Sequence, residues 1–158
     1  MYSLKVNNNI NVFNSINCEE EYFRKIKDQR ILLISSQNGA GRFKKKSFFI
    51  KLNQNNTISY LSNICPNPDI KQLEIKKHRV SKIKPDLIIG YGGGSVLDSA
   101  KVLRSISQVN YVNKKLNCLI KNHINFFKRN IKLVLIPTTS GTGSEVTPFA
   151  TVWDNKNK

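Results

Sequence analysis

Apolar residues in this chain gather in short continuous runs, and stretches with helical spacing separate these runs. Runs without polar alternation are typical of strands that are buried on both faces of a parallel sheet. The predicted strands are residues 30–35, 58–64, 87–89 with Tyr91 as an open extension, and 131–136. The predicted helices are residues 19–27, 69–83 and 95–104. Strands that alternate with helices predict an α/β fold, with a parallel sheet flanked by helices.

Several segments have less definite patterns. Residues 1–20 are polar and are expected to be irregular. Gly39 and Gly41 are expected to lie in a loop after the first strand, because glycine is common in turns. Residues 47–52 fit a helix or a strand equally, and residues 109–127 predict a loop with part of a helix.

Length and composition favour one domain with a real core, since the chain has 158 residues of which 39% are hydrophobic. The longest apolar run is far shorter than the roughly 20 residues of a membrane helix. The polar N-terminus has no apolar signal core, so we expect a cytoplasmic location. The cysteines are 3 in number and far apart, which favours reduced thiols over a disulfide framework.

The net charge of +16 would suit a polyanion partner such as nucleic acid. However, the excess is mostly lysine in a chain rich in Asn and Ile, as an AT-rich coding bias would produce. The charges are also spread along the chain, and only residues 44–46 form a tight run. We therefore expect no nucleic-acid partner. A polyanion-binding protein remains an alternative that predicts salt-sensitive binding to random DNA.

Two turns rich in small residues follow the third and fourth predicted strands. The first is Gly92-Gly93-Gly94-Ser95, and the second is residues 138–143, which are all Thr, Ser or Gly. Right-handed crossovers would place both turns at the same edge of a parallel sheet. Backbone N–H groups that converge at the start of a helix bind phosphates. The two turns together therefore predict a nucleotide site, although the pattern is neither G-x-G-x-x-G nor a P-loop.

Charged and hydroxyl side chains beside the first turn have more than one interpretation. Ser95 could donate to a ligand or cap the helix that follows. Asp98 would repel a diphosphate, so a ribose hydroxyl, the nicotinamide amide or backbone N–H groups are its expected partners. Lys101 could balance phosphate charge or be a solvated helix lysine.

Residues 92–101 and 136–147 closely resemble the two cofactor-binding signatures of the iron-containing (group III) alcohol dehydrogenases. Cys65-Pro66-Asn67-Pro68 is similar to the Asn-Pro element of that family, and the resemblance spans residues 30 to 154. It implies a Rossmann-like NAD(P)-binding domain of the dehydroquinate synthase-like superfamily over residues 1–158. The family's C-terminal helical metal domain would be missing, and the chain would be a truncated fragment of a two-domain enzyme that could be a homodimer.

The resemblance also implies an activity, namely hydride transfer between a nicotinamide and a small alcohol or aldehyde. In the intact enzyme Fe2+ or Zn2+, bound by one aspartate and three histidines, would polarise the substrate oxygen. No catalytic or metal-binding residue is expected in this chain, and its fragment is expected to be inactive alone. His78 and His123 are interpreted as ordinary surface residues. Carried over position by position, the cofactor contacts are Asn67, Gly93, Gly94, Ser95, Asp98, Thr138, Thr139, Thr142 and Thr147.

The first predicted strand departs from the family pattern at its end. Many members that prefer NAD have an aspartate there for the adenine ribose, whereas this chain has Ser35 and Ser36, which are also expected to be cofactor-binding residues. A ribose 2′-phosphate would not be repelled, and Arg42 or Lys44 could neutralise it. The cofactor is therefore NAD or NADP. The alternatives are a nucleotide-binding module without catalysis, or an enzyme like glycerol dehydrogenase or dehydroquinate synthase.

Phe149 and Trp153 lie in an extended apolar segment near the end of the chain, and they need a surface to pack against. The segment therefore suggests that the chain is cut short of its natural C-terminus. Apolar surface left uncovered in this way would favour poor solubility or self-association.

Overall fold

The computed structural model describes residues 2–5, 16–106, 116 and 131–154. Its strands and helices are given in chain order. They are β1 (Tyr2–Lys5), α1 (Ile16–Arg24), β2 (Arg30–Ser35), α2 (Gln37–Lys44), α3 (Phe49–Asn55), β3 (Thr57–Leu61), α4 (Ile70–Ile83), β4 (Leu87–Gly92), α5 (Gly94–Ile106), β5 (Lys132–Pro137) and β6 (Phe149–Val152).

The main sheet has four strands in the order β3-β2-β4-β5, and all its neighbours are parallel. In the register, Leu32 of β2 lies between Ser59 of β3 and Ile88 of β4. Ile89 of β4 pairs in turn with Val134 of β5. The predicted α/β class, with a parallel sheet between helices, is confirmed.

Both faces of the sheet are buried, which explains the continuous apolar runs. Leu32 and Ile34 of β2 belong to a core that also contains Leu73 of α4 and Leu103 of α5. The alternate β2 residues Ile31 and Leu33 belong to a second core, with α1, α2 and α3. Because side chains alternate along a strand, burial on both sides requires apolar residues at successive positions.

The second core centres on aromatic rings from α1, α2, the residue before α3 and β4. Phe23 of α1 stacks on Phe48, with ring centroids 4.4 Å apart. Phe43 of α2 meets Phe48 edge-on at 5.7 Å and Tyr91 of β4 at 5.3 Å. These contacts join the short helices to the sheet.

A second sheet contradicts the prediction that residues 1–20 are irregular. Strand β1 pairs antiparallel with β6, with Tyr2 opposite Val152. Helix α1 likewise begins at Ile16, earlier than predicted. A polar segment can form a strand when a distant segment supplies the pairing, and no local pattern reports such a partner.

The prediction that Gly39 and Gly41 lie in a loop is wrong, because both are within α2. The Ser36 side chain accepts a hydrogen bond from the Gly39 N–H and caps this helix. A Cβ on Gly39 would lie 2.2 Å from Ser35 Oγ, so this glycine permits close packing rather than a turn.

Three other boundaries are now defined. Residues 49–55 form a helix, which decides between the two interpretations of residues 47–52. Strand β3 ends at Leu61, before the predicted residue 64, and β4 includes Tyr91. The prediction for residues 109–127 lies outside the described residues, apart from Leu116.

Among the described helices, none has the length and apolar content required to cross a bilayer. Cys65 is a free, exposed thiol.

Candidate functional site

The two glycine-containing turns lie side by side at one edge of the sheet. Strands β4 and β5 are parallel neighbours, and Gly92 is paired with Pro137 at their carboxyl ends. The Thr138 N–H donates a hydrogen bond of 3.0 Å to the Gly92 carbonyl, directly joining the start of one turn to the other. The predicted juxtaposition of the turns is confirmed.

The glycine turn faces the threonine loop, which we define as residues 138–147. A Cβ built on Gly93 would lie 3.1 Å from Thr139 Oγ1, and one on Gly94 would lie 3.6 Å from the Thr142 Cβ. A side chain at Gly93 would crowd Thr139. The absence of side chains at these glycines therefore leaves bare backbone opposite a row of hydroxyl groups.

Helix α5 begins at this turn and directs its N-terminus to the same edge. The Gly93 carbonyl accepts hydrogen bonds from the Val96 and Leu97 N–H groups, which start the helix. The first N–H groups of any helix have no acceptor within that helix, and the helix dipole makes this end positive. Gly93, Gly94 and Ser95 are partly exposed. The edge therefore has the chemistry of an anion site.

Two glycines in the threonine loop have positive φ. Gly141 has φ of 82° and Gly143 has φ of 60°, a region that favours glycine because it has no Cβ. These residues let the backbone turn within the loop that connects β5 to β6. The hydroxyl-bearing residues Thr138, Thr139 and Thr142 remain exposed.

Asn67 comes to the same edge from the segment after β3. It has φ of 51°, and its backbone N–H donates a 3.1 Å hydrogen bond to Ser95 Oγ. The next residue, Pro68, accepts a hydrogen bond from the Trp153 N–H. The structure thus brings together Asn67 and the glycine turn, and it places Trp153 next to this segment.

Asp98 is engaged by groups of its own chain. One carboxylate oxygen accepts a 2.6 Å hydrogen bond from Ser144 Oγ, and the other accepts one of 3.0 Å from the Thr151 N–H. Of the partners expected for Asp98, the structure therefore shows the backbone N–H group. A direct contact between Asp98 and a cofactor remains a prediction.

Lys101 is fully buried, so the interpretation as a solvated helix lysine is wrong. Its Nζ lies 2.6 Å from the Phe149 carbonyl, 3.0 Å from Ser144 Oγ and 3.3 Å from Asp98 Oδ1. Thr147 Oγ1 is a longer contact at 3.4 Å. We call these five residues the Lys101 network.

Burial lowers the pKa of Lys101 below its usual value, because the interior disfavours the charged form. The Asp98 carboxylate, which both attracts and hydrogen-bonds the ammonium, and the charge of Glu145 raise the pKa in opposition. With no exposed surface, Lys101 is not placed to balance the charge of a phosphate.

Ser144 was missed as a site residue. It is buried and touches both charged members of the Lys101 network. The signal in the sequence is limited to spacing, since Lys101 follows the apolar Leu97 by one helical turn and lies three residues after Asp98. The burial of Lys101, and hence its need for Ser144 as a partner, becomes visible only in the folded chain.

The serines at the end of β2 differ in accessibility. Ser35 is fully buried, and its hydroxyl donates a 2.7 Å hydrogen bond to the Tyr91 carbonyl. Ser36 is partly exposed and caps α2. Arg42 is exposed on that helix, while the Lys44 ammonium lies 4.5 Å from the centre of the Tyr60 ring. Of the two serines only Ser36 is accessible, whereas Arg42 and Lys44 are both exposed.

A metal ion does not fit the described part of the chain. Within those residues, His, Cys, Asp and Glu side chains form no group of three or more that could hold a metal. His78 is exposed on α4, and His123 lies outside the described residues.

Comparisons with known proteins agree with this architecture. Residues 11–158 match the family described as iron-containing alcohol dehydrogenase. The aldehyde-alcohol dehydrogenase of Streptococcus pneumoniae is 37% identical over an alignment of 105 residues, and the match covers 61% of this chain and 12% of that protein. The 1-propanol dehydrogenase PduQ of Salmonella typhimurium is 36% identical over 99 residues, covering 63% of this chain and 22% of the relative.

Solved structures share the fold. The iron-containing alcohol dehydrogenase of Thermotoga maritima has a TM-score of 0.69 at 22% identity, over 89% of this chain and 38% of that one. The sulfoacetaldehyde reductase of Bifidobacterium kashiwanohense, solved in complex with NAD+, has a TM-score of 0.64 at 19% identity, over 99% of this chain and 40% of that one. The chain thus spans well under half the length of these proteins. Because the family match covers nearly the whole sequence, the chain belongs to the iron-containing alcohol dehydrogenase family.

Proposed function

We propose that this chain binds NAD or NADP at the sheet edge formed by the glycine turn and the threonine loop. The hydrogen bond from the Thr138 N–H to the Gly92 carbonyl carries the proposal, because it sets the two turns side by side. The bound NAD+ in the Bifidobacterium reductase supports a dinucleotide as the ligand.

Each part of the edge has a role in this proposal. The N–H groups at Gly94 and Ser95, at the positive end of α5, receive the diphosphate. Hydroxyl groups of the threonine loop contact the ribose side, and Asn67 closes the edge beside Ser95. Thr147 is part of the threonine loop and also of the Lys101 network, because its hydroxyl contacts Lys101.

The wider activity belongs to the same proposal. Residues 1–158 would serve as the cofactor-binding domain of a cytoplasmic enzyme that transfers hydride between the nicotinamide and a small alcohol or aldehyde. Fe2+ or Zn2+ would be bound by residues outside this chain, and we expect no turnover by the chain alone. A homodimer and the lack of a nucleic-acid partner are further parts of this proposal.

We further propose that the site accepts a 2′-phosphate, and hence NADP, because β2 ends without a carboxylate. Ser36 is accessible there, and Arg42 lies exposed on the helix that Ser36 caps. An arginine can bind a phosphate through paired charge-assisted hydrogen bonds. In contrast, Lys44 already contacts the face of Tyr60.

Titration of the chain with NADH and NADPH, followed through Trp153 fluorescence, tests the proposal. We expect saturable binding of at least one dinucleotide. Gly93→Val should weaken it by about tenfold or more, because the new side chain would displace Thr139 from the turn. Arg42→Gln should weaken NADPH by about tenfold and leave NADH unchanged.

Gly41→Ala is the matched control, because nothing lies within 4 Å of its Cβ and the residue is in α2. Its affinities should equal those of the wild type. Negligible binding of both dinucleotides by the folded wild-type chain would reject the proposed function. Equal loss of NADH and NADPH affinity in Arg42→Gln would reject the role of Arg42 alone.

A further inference from the structure

We infer that Lys101 is a positioning residue, whose buried ammonium holds the threonine loop against α5 in the arrangement that receives the dinucleotide. The inference rests on the proposed function for its consequence in binding. The contacts that carry it are independent of any ligand.

The ammonium spans two separate parts of the fold. Lys101 lies on α5, whereas Ser144 and Thr147 are in the threonine loop and Phe149 begins β6. A lysine ammonium has three N–H donors, and the close oxygen atoms are those of Phe149, Ser144 and Asp98. The ammonium therefore donates to oxygen atoms both on α5 and in the segment that follows β5.

Asp98 strengthens the same junction. It pairs with Lys101 on α5, while its two oxygens accept hydrogen bonds from Ser144 and from the Thr151 N–H of β6. The first half of the loop is attached through the Thr138 N–H to Gly92. The Lys101 network attaches the second half. Between these anchors, residues 138–142 are exposed.

A purely apolar contact would hold α5 and β6 together without burying a charge. Burial of an ammonium is unfavourable unless ionic and hydrogen-bonding partners compensate, and apolar replacements are often equally stable. Lys101 is fully buried and meets oxygen atoms from the loop and from β6. Hydrogen bonds, unlike apolar packing, fix the direction of these loop atoms, and the orientation of the hydroxyl row depends on that direction.

The test compares loop exchange and cofactor affinity in the full 158-residue chain. Lys101→Met removes the ammonium but keeps a side chain of similar length. Ser144→Ala is a milder change that removes one hydroxyl group. Lys77→Met is the control, because Lys77 is also fully buried but is paired with Glu74 on its own helix α4. Hydrogen exchange of residues 138–147 and of β4 is measured, together with the Kd for NADPH and NADH.

For Lys101→Met we expect loop amides to exchange at least about tenfold faster while β4 keeps its protection, and the Kd to rise by about tenfold. Ser144→Ala should show the same pattern with a change of about threefold. Lys77→Met should leave loop exchange and Kd within about twofold of wild type.

Unchanged loop exchange in both Lys101→Met and Ser144→Ala would overturn the inference, as would equal acceleration of the loop in Lys77→Met. If Lys101→Met does not fold, Ser144→Ala decides by itself. If the wild type binds neither dinucleotide, the proposed function fails, and loop exchange still decides whether Lys101 orders the loop.

Discussion

Gly90 determines how closely α5 approaches the sheet. A Cβ at this position would lie 2.9 Å from the Ala100 Cβ and 3.0 Å from Leu135 Cδ2. Ala100 is fully buried in the core and cannot move away freely, whereas Leu135 is partly buried and packs against the same core. The same helix starts at the glycine turn, and a shift of α5 would therefore reach the candidate site.

Gly90→Ala should lower the free energy of unfolding by about 1–3 kcal/mol through this overpacking. Gly41→Ala should raise it by about 0.5–1 kcal/mol, because its surroundings are open and alanine favours a helix. Urea unfolding followed by circular dichroism measures both changes. A Gly90→Ala protein as stable as the wild type would show that α5 is less closely packed on β4 than described.

The buried Lys101 also predicts a pH dependence of stability. Burial lowers the pKa of Lys101 in the folded chain below its ordinary value of 10.5. In the pH range just below 10.5, the unfolded chain therefore binds more protons than the folded chain. Stability contributed by this group therefore rises as pH increases through the window and is lost as pH falls. Asp98 and Glu145 oppose the shift and reduce its size.

The comparison of wild type with Lys101→Met isolates this effect, since Tyr22 and Tyr60, whose pKa values burial raises, are present in both. Urea midpoints are measured between about pH 8.5 and 10.5. The wild type should gain stability relative to the variant as pH rises. A relative loss with rising pH would contradict the assigned direction of the pKa.

At the scale of elements, the stability of α1 depends on the aromatic cluster. Phe23 is buried and stacks on Phe48, with Phe43 edge-on to both rings. The Arg24–Glu20 pair in α1 is partly exposed and the Lys25–Glu21 pair at its end is exposed, so both contribute little. Apolar packing is therefore the main attachment of this helix.

Phe23→Ala should lower the free energy of unfolding by about 3–5 kcal/mol, as expected for removal of a buried aromatic side chain. Ile75→Ala on α4, where the side chain is 74% exposed, should change it by less than about 0.5 kcal/mol. Thermal and urea unfolding provide the values. Similar losses in the two variants would contradict the cluster as the anchor of α1.

The elements that the sequence predicts well are those with a local cause. Strands β2 and β4 are buried on both faces, so their apolar runs are visible without any partner. Strand β1 depends on pairing with β6 across almost the entire chain, and its sequence carries no local sign of that pairing. Gly39 resembles a loop residue in the sequence, although a glycine is needed there because a Cβ would clash with the Ser35 side chain.

The candidate site follows the same division. The turns after β4 and β5 could be placed at one edge, because parallel strands end together there. The burial of Lys101 could not be predicted, since it depends on how the threonine loop folds back over α5. The hydrogen bonding of Ser35 to Tyr91 is likewise a tertiary contact between two strands.

At the scale of the whole molecule, the opposite ends of the main sheet have different chemistry. The edge at the carboxyl ends carries the glycine turn, the threonine loop and Asn67. The other end carries the Arg30–Asp86 ion pair, in which Arg30 Nη2 lies 2.7 Å from an Asp86 carboxylate oxygen. An anionic dinucleotide could in principle be attracted to either end by a chain of net charge +16.

Amide chemical shifts recorded during a titration with NADPH distinguish the two ends most directly. The central claim predicts that the largest saturable shifts occur together at residues 93–95 and 138–142, on both sides of the bound diphosphate. Shifts confined to one of these turns, or centred on Arg30 and Asp86, would contradict it.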